Sequence, residues 1–272
     1  EEEAPFIGPA TLLPQTGQPP NRYVFYLLPG VAEQARALVN FADTTLNLKK
    51  ARAAIVYQDR EVPGVVAAAT AEQAQQSGWS AVGKRPFASD NFDAARLAQE
   101  LKGQATEVVF FYGSGAQQAG FLNAAGALNW TPHVFLLSAL SGNDLASAVP
   151  IVFKQKIFIA FPTVPTDVTT AGAAEYRALL EKYKLNPRHT ASQLAALAAA
   201  KTFVEGLKRA GADLSREQLV TALEGLYDYD TGLTPHLSFG PNRRVGAAGA
   251  YIVMINPETK EFVQAGGWVT AN

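Results

Sequence analysis

A chain of 272 residues with 48% hydrophobic side chains is long enough for one large domain or two small ones and can fill a sizeable core, so disorder is not its default. A formal net charge of -1 and a pI near 6.4 give no electrostatic footprint for nucleic acid or for an anionic membrane surface. The lack of cysteine removes disulfides, thiolate catalysis and thiolate metal sites, and no apolar run approaches the roughly 18 residues of a membrane-spanning helix.

Glu1-Glu2-Glu3 is neither an initiator methionine nor a signal peptide and reads as a processed, trimmed or engineered end. Pro5–Gly8 predicts a short strand, and Pro9–Pro20 holds too many prolines for a helix and reads as a loop. A second short strand, Tyr23–Leu27, is stopped by Pro29-Gly30. Val31–Ala42 follows with Val31, Ala35, Leu38, Val39 and Ala42 at helical spacing.

From there a β–α unit repeats. Its strands are Ala53–Tyr57, Ser80–Phe87, Glu107–Tyr112, His133–Leu137 and Lys156–Phe161, and its helices are Gly64–Ser77, Asn91–Lys102 and Ala116–Leu128. Alternation at these lengths predicts right-handed crossovers and an α/β fold with a mostly parallel, twisted sheet flanked by helices. The central stretch is Thr106–Gly115: an unbroken apolar and aromatic run, as expected of a strand buried on both faces, opening into a glycine-rich turn. The carboxyl ends of such strands are where open α/β sheets place their ligands.

After Pro162 the pattern becomes helical. Tyr176, Leu179, Leu180 and Tyr183 form one stripe, and Leu194, Leu197, Val204 and Leu207 line a helix ending at Gly211. Ser215 with Gln218 predicts a capping box for a third helix. Tyr251–Ile255, a turn at Asn256–Thr259 and Glu261–Val269 predict a terminal hairpin. Three amphipathic helices need a sheet to pack on, yet only two short amino-terminal strands are left for them. The apolar faces of 172–183 and 191–210 are therefore expected to be covered by missing sequence or a second chain.

Few motifs carry chemistry. Gly78–Arg85 nearly spells a phosphate-binding loop, but it has arginine where a magnesium-binding hydroxyl belongs, and it follows a helix rather than opening one. Gly113-Ser114-Gly115 begins like a dinucleotide fingerprint, but Gln118 stands at the third glycine and no acid ends the next strand, so a tight strand-to-helix turn is the better reading. His133, His189 and His236 show no metal-ligand spacing. Asp228 and Asp230 lack the calcium-loop pattern. With no G-x-S-x-G motif and no base–nucleophile pairing, no catalytic residue, cofactor or metal is expected.

Four segments, in order, carry a resemblance: FIGPATLLPQTGQPPNRYVFYLLPG at 6–30, ARAAIVYQD at 51–59, FFYGSGAQQAGFLNAAGALNW at 110–130 and LSFGPNRRVGAAGAYIVMINPETKEFVQAGGWV at 237–269. The chain resembles the type I periplasmic solute-binding proteins of ABC transporters, of the branched-chain amino acid binding kind, collinearly from about residue 5 to 269. The resemblance implies two lobes that close on a small solute, a membrane permease as partner, and a periplasmic location. Lobe 1 would comprise 1–29 and 164–247, and lobe 2 would comprise 30–163 and the hairpin 248–272. The family opens with several βα units of lobe 1 that this sequence lacks, so lobe 1 reads as incomplete.

The site carries over only in part. Ala10 and Thr11 in Gly8-Pro9-Ala10-Thr11 resemble the turn that offers main-chain and hydroxyl groups to a solute carboxylate. The family's aromatic residues from lobe 2 are replaced by Pro63 and by Ser114-Gly115, and the acid that grips an α-ammonium group falls at Ala139. An ammonium buried without a carboxylate is heavily penalised, so the expected ligand is a carboxylate, amide or aromatic acid rather than a free α-amino acid. The strand tips nominate Asp59, Ser89, Gly113, Ser114, Gly115, Ser138, Ala139 and Thr163 beside Ala10 and Thr11. The competing reading is a sensory or regulatory domain on the same scaffold.

Overall fold

The computed structural model describes residues 4–271 except 16, 18, 80, 143 and 213. Glu1-Glu2-Glu3 and Ser80, the expected start of one repeat strand, lie outside the described residues. The chain divides into two compact units, Val31–Pro162 with Gly249–Asn272 and Glu1–Gly30 with Thr163–Ala248, referred to below as the sheet unit and the helical unit.

The helical unit contributes the first elements, β1 (Phe6–Ile7) and β2 (Val24–Phe25), which pair in parallel. In the sheet unit the order is α1 (Val31–Thr44), β3 (Ala53–Gln58), α2 (Glu61–Gln76), β4 (Val82–Phe87), α3 (Ala94–Gly103), β5 (Val108–Tyr112), α4 (Gly115–Ala127), β6 (His133–Leu137), the one-turn α5 (Leu145–Ala148) and β7 (Ile157–Phe161). The hairpin β8 (Gly249–Asn256) and β9 (Glu261–Thr270) completes a seven-stranded sheet of order β4-β3-β5-β6-β7-β8-β9. The pairs from β4 to β7 are parallel, and the hairpin joins antiparallel on β7.

Local chemistry moves two boundaries away from the sequence reading. α2 starts at Glu61 rather than Gly64 because Pro63 falls in the first turn, where a missing N–H costs nothing. α3 starts at Ala94 rather than Asn91 because the Asp93 side chain caps it, accepting from the Arg96 N–H at 2.9 Å.

Both faces of the sheet are covered, which is why β5 carries no polar alternation. Val109 and Phe111 face one side with Leu101, Phe121, Leu122 and Phe153. Phe110 and Tyr112 face the other, where Phe110 stacks on Phe135 at 5.0 Å and the Tyr112 hydroxyl meets Thr70 Oγ1 at 2.7 Å. Burial pushes the Tyr112 phenol well above its ordinary pKa, so it stays neutral. Each of these fully buried rings contributes roughly 2–3 kcal/mol of transfer free energy, which makes β5 the anchor of the unit.

In the helical unit α6 (Thr170–Tyr183), α7 (Thr190–Ala210) and α8 (Arg216–Glu224) follow one another. The Ser215 hydroxyl caps α8, accepting from the Gln218 N–H at 3.2 Å. α7 meets α8 at Gly206, where an added Cβ would lie 2.8 Å from Leu223. Gly8, with φ of 72°, lets the end of β1 approach α7 so closely that a Cβ would lie 2.6 Å from that of Ala199. Tyr183 and Leu185 at the end of α6, and Phe203 and Val204 on α7, remain exposed. The apolar stripes of these helices are thus only partly used within the unit.

Candidate functional site

The parallel strands of the sheet unit place their carboxyl ends on one edge. The register sets Gln58 opposite Phe87 and Tyr57 opposite Tyr112, so Asp59, Ser89 and Gly113 follow at neighbouring tips. Ser138 comes at the tip of β6, its N–H donating to Ala160 O at 3.1 Å. Asp59 and Ser89 are exposed, Gly113 is buried, and Ala139 presents only a methyl group.

The polar groups along this edge bond mostly to each other. Gln58 Nε2 donates to Ser89 Oγ. At the head of α4 the Ser114 N–H donates to Gln117 Oε1 at 2.8 Å, while Ser114 Oγ accepts from the Gln117 N–H, a complete capping box. Gln118, 1% exposed, donates to Gly113 O at 2.9 Å and accepts from Ser141 Oγ at 2.8 Å. Gly115 is held tightly: a Cβ there would lie 2.5 Å from the Gly142 nitrogen. The result is a preorganised wall in which Gln58, Ser89, Ser114, Gln117, Gln118 and Ser141 bond to one another or to the local main chain, with Asp59 as the charged group among the nominated residues.

Sequence reasoning overlooked Gln117, Gln118, Ser141 and Phe92 as contributors. Gln117 was signalled by the S-x-x-Q spacing at 114–117, a capping pattern used above only for residue 215. Gln118 and Ser141 had no local signal for their mutual bond, which joins α4 to the loop after β6. Phe87 and Phe92, with ring centroids 4.6 Å apart and both near Phe111, form a half-buried aromatic patch beneath the β4 and β5 tips.

In the helical unit Ala10 and Thr11 are exposed, and Thr11 Oγ1 accepts from the Leu13 N–H at 3.1 Å. Thr163 Oγ1 donates to Asp167 Oδ2 at 2.6 Å, and the same oxygen takes the Val164 N–H at 2.8 Å, opening a short 3-10 turn. No hydrogen bond among the described residues joins Thr163 to Ala10 or Thr11.

The histidines play other parts. His133 sits half-buried with its ring stacked toward Phe158 and Nε2 3.1 Å from Lys156 Nζ. Burial first, and then the Lys156 charge, lowers its pKa to about 4, so at neutral pH it is an uncharged acceptor. His236 Nδ1 lies 3.0 Å from Asp228 on an exposed loop. Among the described residues no three His, Asp or Glu side chains group as a metal site.

A mixed sheet with helices on both faces, interrupted in sequence by a helical unit and closed by a returning hairpin, is the type I periplasmic-binding-protein architecture. The family model described as periplasmic binding protein matches residues 1–261, and the chain belongs to that family. It is a solute-binding protein, not an enzyme.

Among solved structures it is similar to a branched-chain amino acid ABC transporter protein from Thermus thermophilus with bound valine, at 20% identity and a TM-score of 0.71, covering 98% of this chain and 72% of that one. A leucine binding protein from Thermotoga maritima matches at 13% identity and 0.64, covering 92% and 68%. A fatty acid ABC transporter substrate-binding protein from Thermomonospora curvata matches at 19% and 0.62, covering 91% and 64%. No curated protein matches the sequence. Among the described residues no helix is long and apolar enough to cross a membrane.

Proposed function

We propose that this chain is the extracytoplasmic solute-binding component of an ABC-type uptake system, taking a small polar organic ligand between two lobes and presenting it to a membrane permease. The ligand is a carboxylate, amide or aromatic acid rather than a free α-amino acid. The observation that supports this choice is the self-bonded wall along the carboxyl edge of the sheet unit, whose nominated residues are neutral except Asp59, with Ala139 at the position where an ammonium-gripping acid would stand. Structural relatives described as binding valine and as serving fatty acid transport agree with a scaffold whose ligand class varies.

In this reading the sheet unit is lobe 2, offering Asp59, Ser89, Gly113, Ser114, Gly115, Ser138 and Ala139, and the helical unit is lobe 1, offering Ala10, Thr11 and Thr163. The exposed Tyr183, Leu185, Phe203 and Val204 are then covered by further sequence of lobe 1 or by a second chain, since apolar faces of that kind are rarely left in water.

The test is a thermal-shift and calorimetric screen of carboxylates, amides, aromatic acids, ureas and the aliphatic amino acids, on protein carrying a complete lobe 1. Stabilisation by a member of the first four groups, lost in Thr11→Ala and Ser138→Ala, is the expected result. Stabilisation confined to leucine, isoleucine or valine would overturn the ligand class, and no stabilisation at all would overturn the transport reading.

A further inference from the structure

The opposite edge of the sheet unit, where the strands begin, has a different character. Lys50, Arg52, Lys102, Glu107, Thr106 and Trp130 line a basin of about 630 Å³ there, and a neighbouring hollow adds Arg85. From the basin and this hollow we infer a second binding site, for a phosphoryl-bearing anion, distinct from the solute site at the carboxyl edge.

Three cations face a single carboxylate in the basin. That carboxylate is already engaged, since Glu107 Oε2 accepts the Arg52 main-chain N–H at 3.2 Å. The cations are anchored by neutral acceptors: an Arg52 guanidinium N–H goes to Gln104 O at 2.5 Å, and Lys102 Nζ goes to Leu128 O at 2.8 Å. A carbonyl orients a cation without cancelling its charge. A guanidinium has five N–H donors and an ammonium three, so further donors remain for a ligand.

Arg85 is tied in the same way, to Lys84 O at 2.9 Å and Gln104 Oε1 at 3.1 Å. Gln104 thereby holds Arg52 and Arg85 beside each other, a disposition suited to a multiply charged oxyanion. Trp130 closes one side with its indole N–H fixed on Thr106 O at 3.0 Å. Lys156, with His133 uncharged beside it, extends the positive edge toward β7. From the stretch that superficially resembles a phosphate loop, Ala81, Val82, Gly83 and Arg85 line the hollow, and Val82 opens β4.

The chemistry can be met by free phosphoryl anions or by phospholipid headgroups, and two arms separate them. In the first, inorganic pyrophosphate is titrated while Trp130 fluorescence and amide shifts of residues 102–107 are followed at low and high salt. In the second, co-sedimentation is measured with vesicles of equal parts phosphatidylcholine and phosphatidylglycerol.

Binding in either arm that falls at least about tenfold in Arg52→Gln, as loss of a charge-assisted hydrogen bond dictates, and that weakens with salt, supports the site and names its source. Lys50→Gln, at an exposed side chain, provides a second variant if Arg52→Gln does not fold. Absence of binding in both arms, or binding unchanged in both variants, overturns it. None of these outcomes bears on the solute screen, which reads residues at the other edge.

Discussion

Gly115→Ala isolates the packing that shapes the carboxyl edge. Within a helix this change ordinarily stabilises by up to about 1 kcal/mol through backbone entropy. Here the new methyl would lie 2.5 Å from Gly142 N and 3.1 Å from Gly142 Cα, against backbone atoms with no side chain to swing away. Relieving such overpacking costs about 1–3 kcal/mol. Moving the 138–142 loop also strains the Ser141 Oγ to Gln118 Oε1 bond of 2.8 Å, and through Gln118 the bond to Gly113 O, each worth about 1 kcal/mol net.

Setting these costs against the entropic gain, the expected outcome is a net loss of about 2 kcal/mol. Equilibrium urea unfolding measures it, with Gly120→Ala in the same helix as reference. A Cβ at Gly120 would sit 3.7 Å from that of Ala94, an ordinary contact, so this variant should gain about 0.5 kcal/mol from propensity alone. A Gly115→Ala midpoint at or above that of the parent protein, or equal shifts in both variants, would refute the reasoning.

Two further predictions test other parts of the molecule. His133, with its folded pKa lowered from 6.5 to about 4, takes up a proton more readily when unfolded, so stability should be full above about pH 6.5 and decline as the pH falls toward 4; screening at this half-buried ring limits the loss to about 1–2 kcal/mol, and His133→Gln should flatten that part of the profile of unfolding midpoint against pH. Arg244, 3% exposed, pairs with Glu224 at 2.5 Å and covers the Phe25 ring at 4.7 Å, while its Nε and Nη1 find no hydrogen-bond partner among the described residues. Arg244→Ala should therefore cost about 3 kcal/mol in urea unfolding, and the Arg244→Met, Glu224→Met pair markedly less; a loss under about 1 kcal/mol for the single variant would show that the ion pair does not hold this part of the helical unit.

The sheet was legible because burial on both faces writes itself into sequence: Val108–Tyr112 and His133–Leu137 are apolar without alternation, and glycine, proline or serine marks their ends. Helix starts were less so, since Pro63 and Asp93 act within single turns and periodicity averages over several. The amphipathic stripes of α6 and α7 were also readable from their helical spacing, and among the described residues the named strands of the helical unit are β1 and β2. What sequence could not supply was the wiring of the tips. The contacts of Gln118 with Ser141, and of Gly115 with Gly142, depend on two loops meeting in space, and nothing local in either loop announces the other. The amino edge escaped notice for a related reason, because a net charge of -1 averages away Lys50, Arg52, Arg85 and Lys102, which only the topology gathers.

The two edges of the sheet follow from one physical asymmetry. Parallel strands joined by helices send every crossover helix the same way, so helix carboxyl ends, with their partial negative charge, collect at the amino edge, and helix amino ends, with partial positive charge, collect at the carboxyl edge. At the amino edge Arg52 and Lys102 bond the last carbonyls of α3 and α4 directly, which explains why cations stand there at all; their uncancelled full charge is what remains for an anion. At the carboxyl edge the amino ends of α2, α3 and α4 supply a field of about 0.3–1 kcal/mol each; Glu61 and the Asp93 cap already meet it at α2 and α3, and Arg60 stands at the start of α2, whereas α4 is capped by the uncharged Ser114. In the proposed site a solute carboxylate is therefore favoured at the head of α4, while an α-ammonium group meets the same field as repulsion and finds a methyl at Ala139, with Asp59 the one acid among the proposed ligand-binding residues. The proposed preference for a ligand without a positive amine thus rests on the direction of the helices as much as on any one side chain.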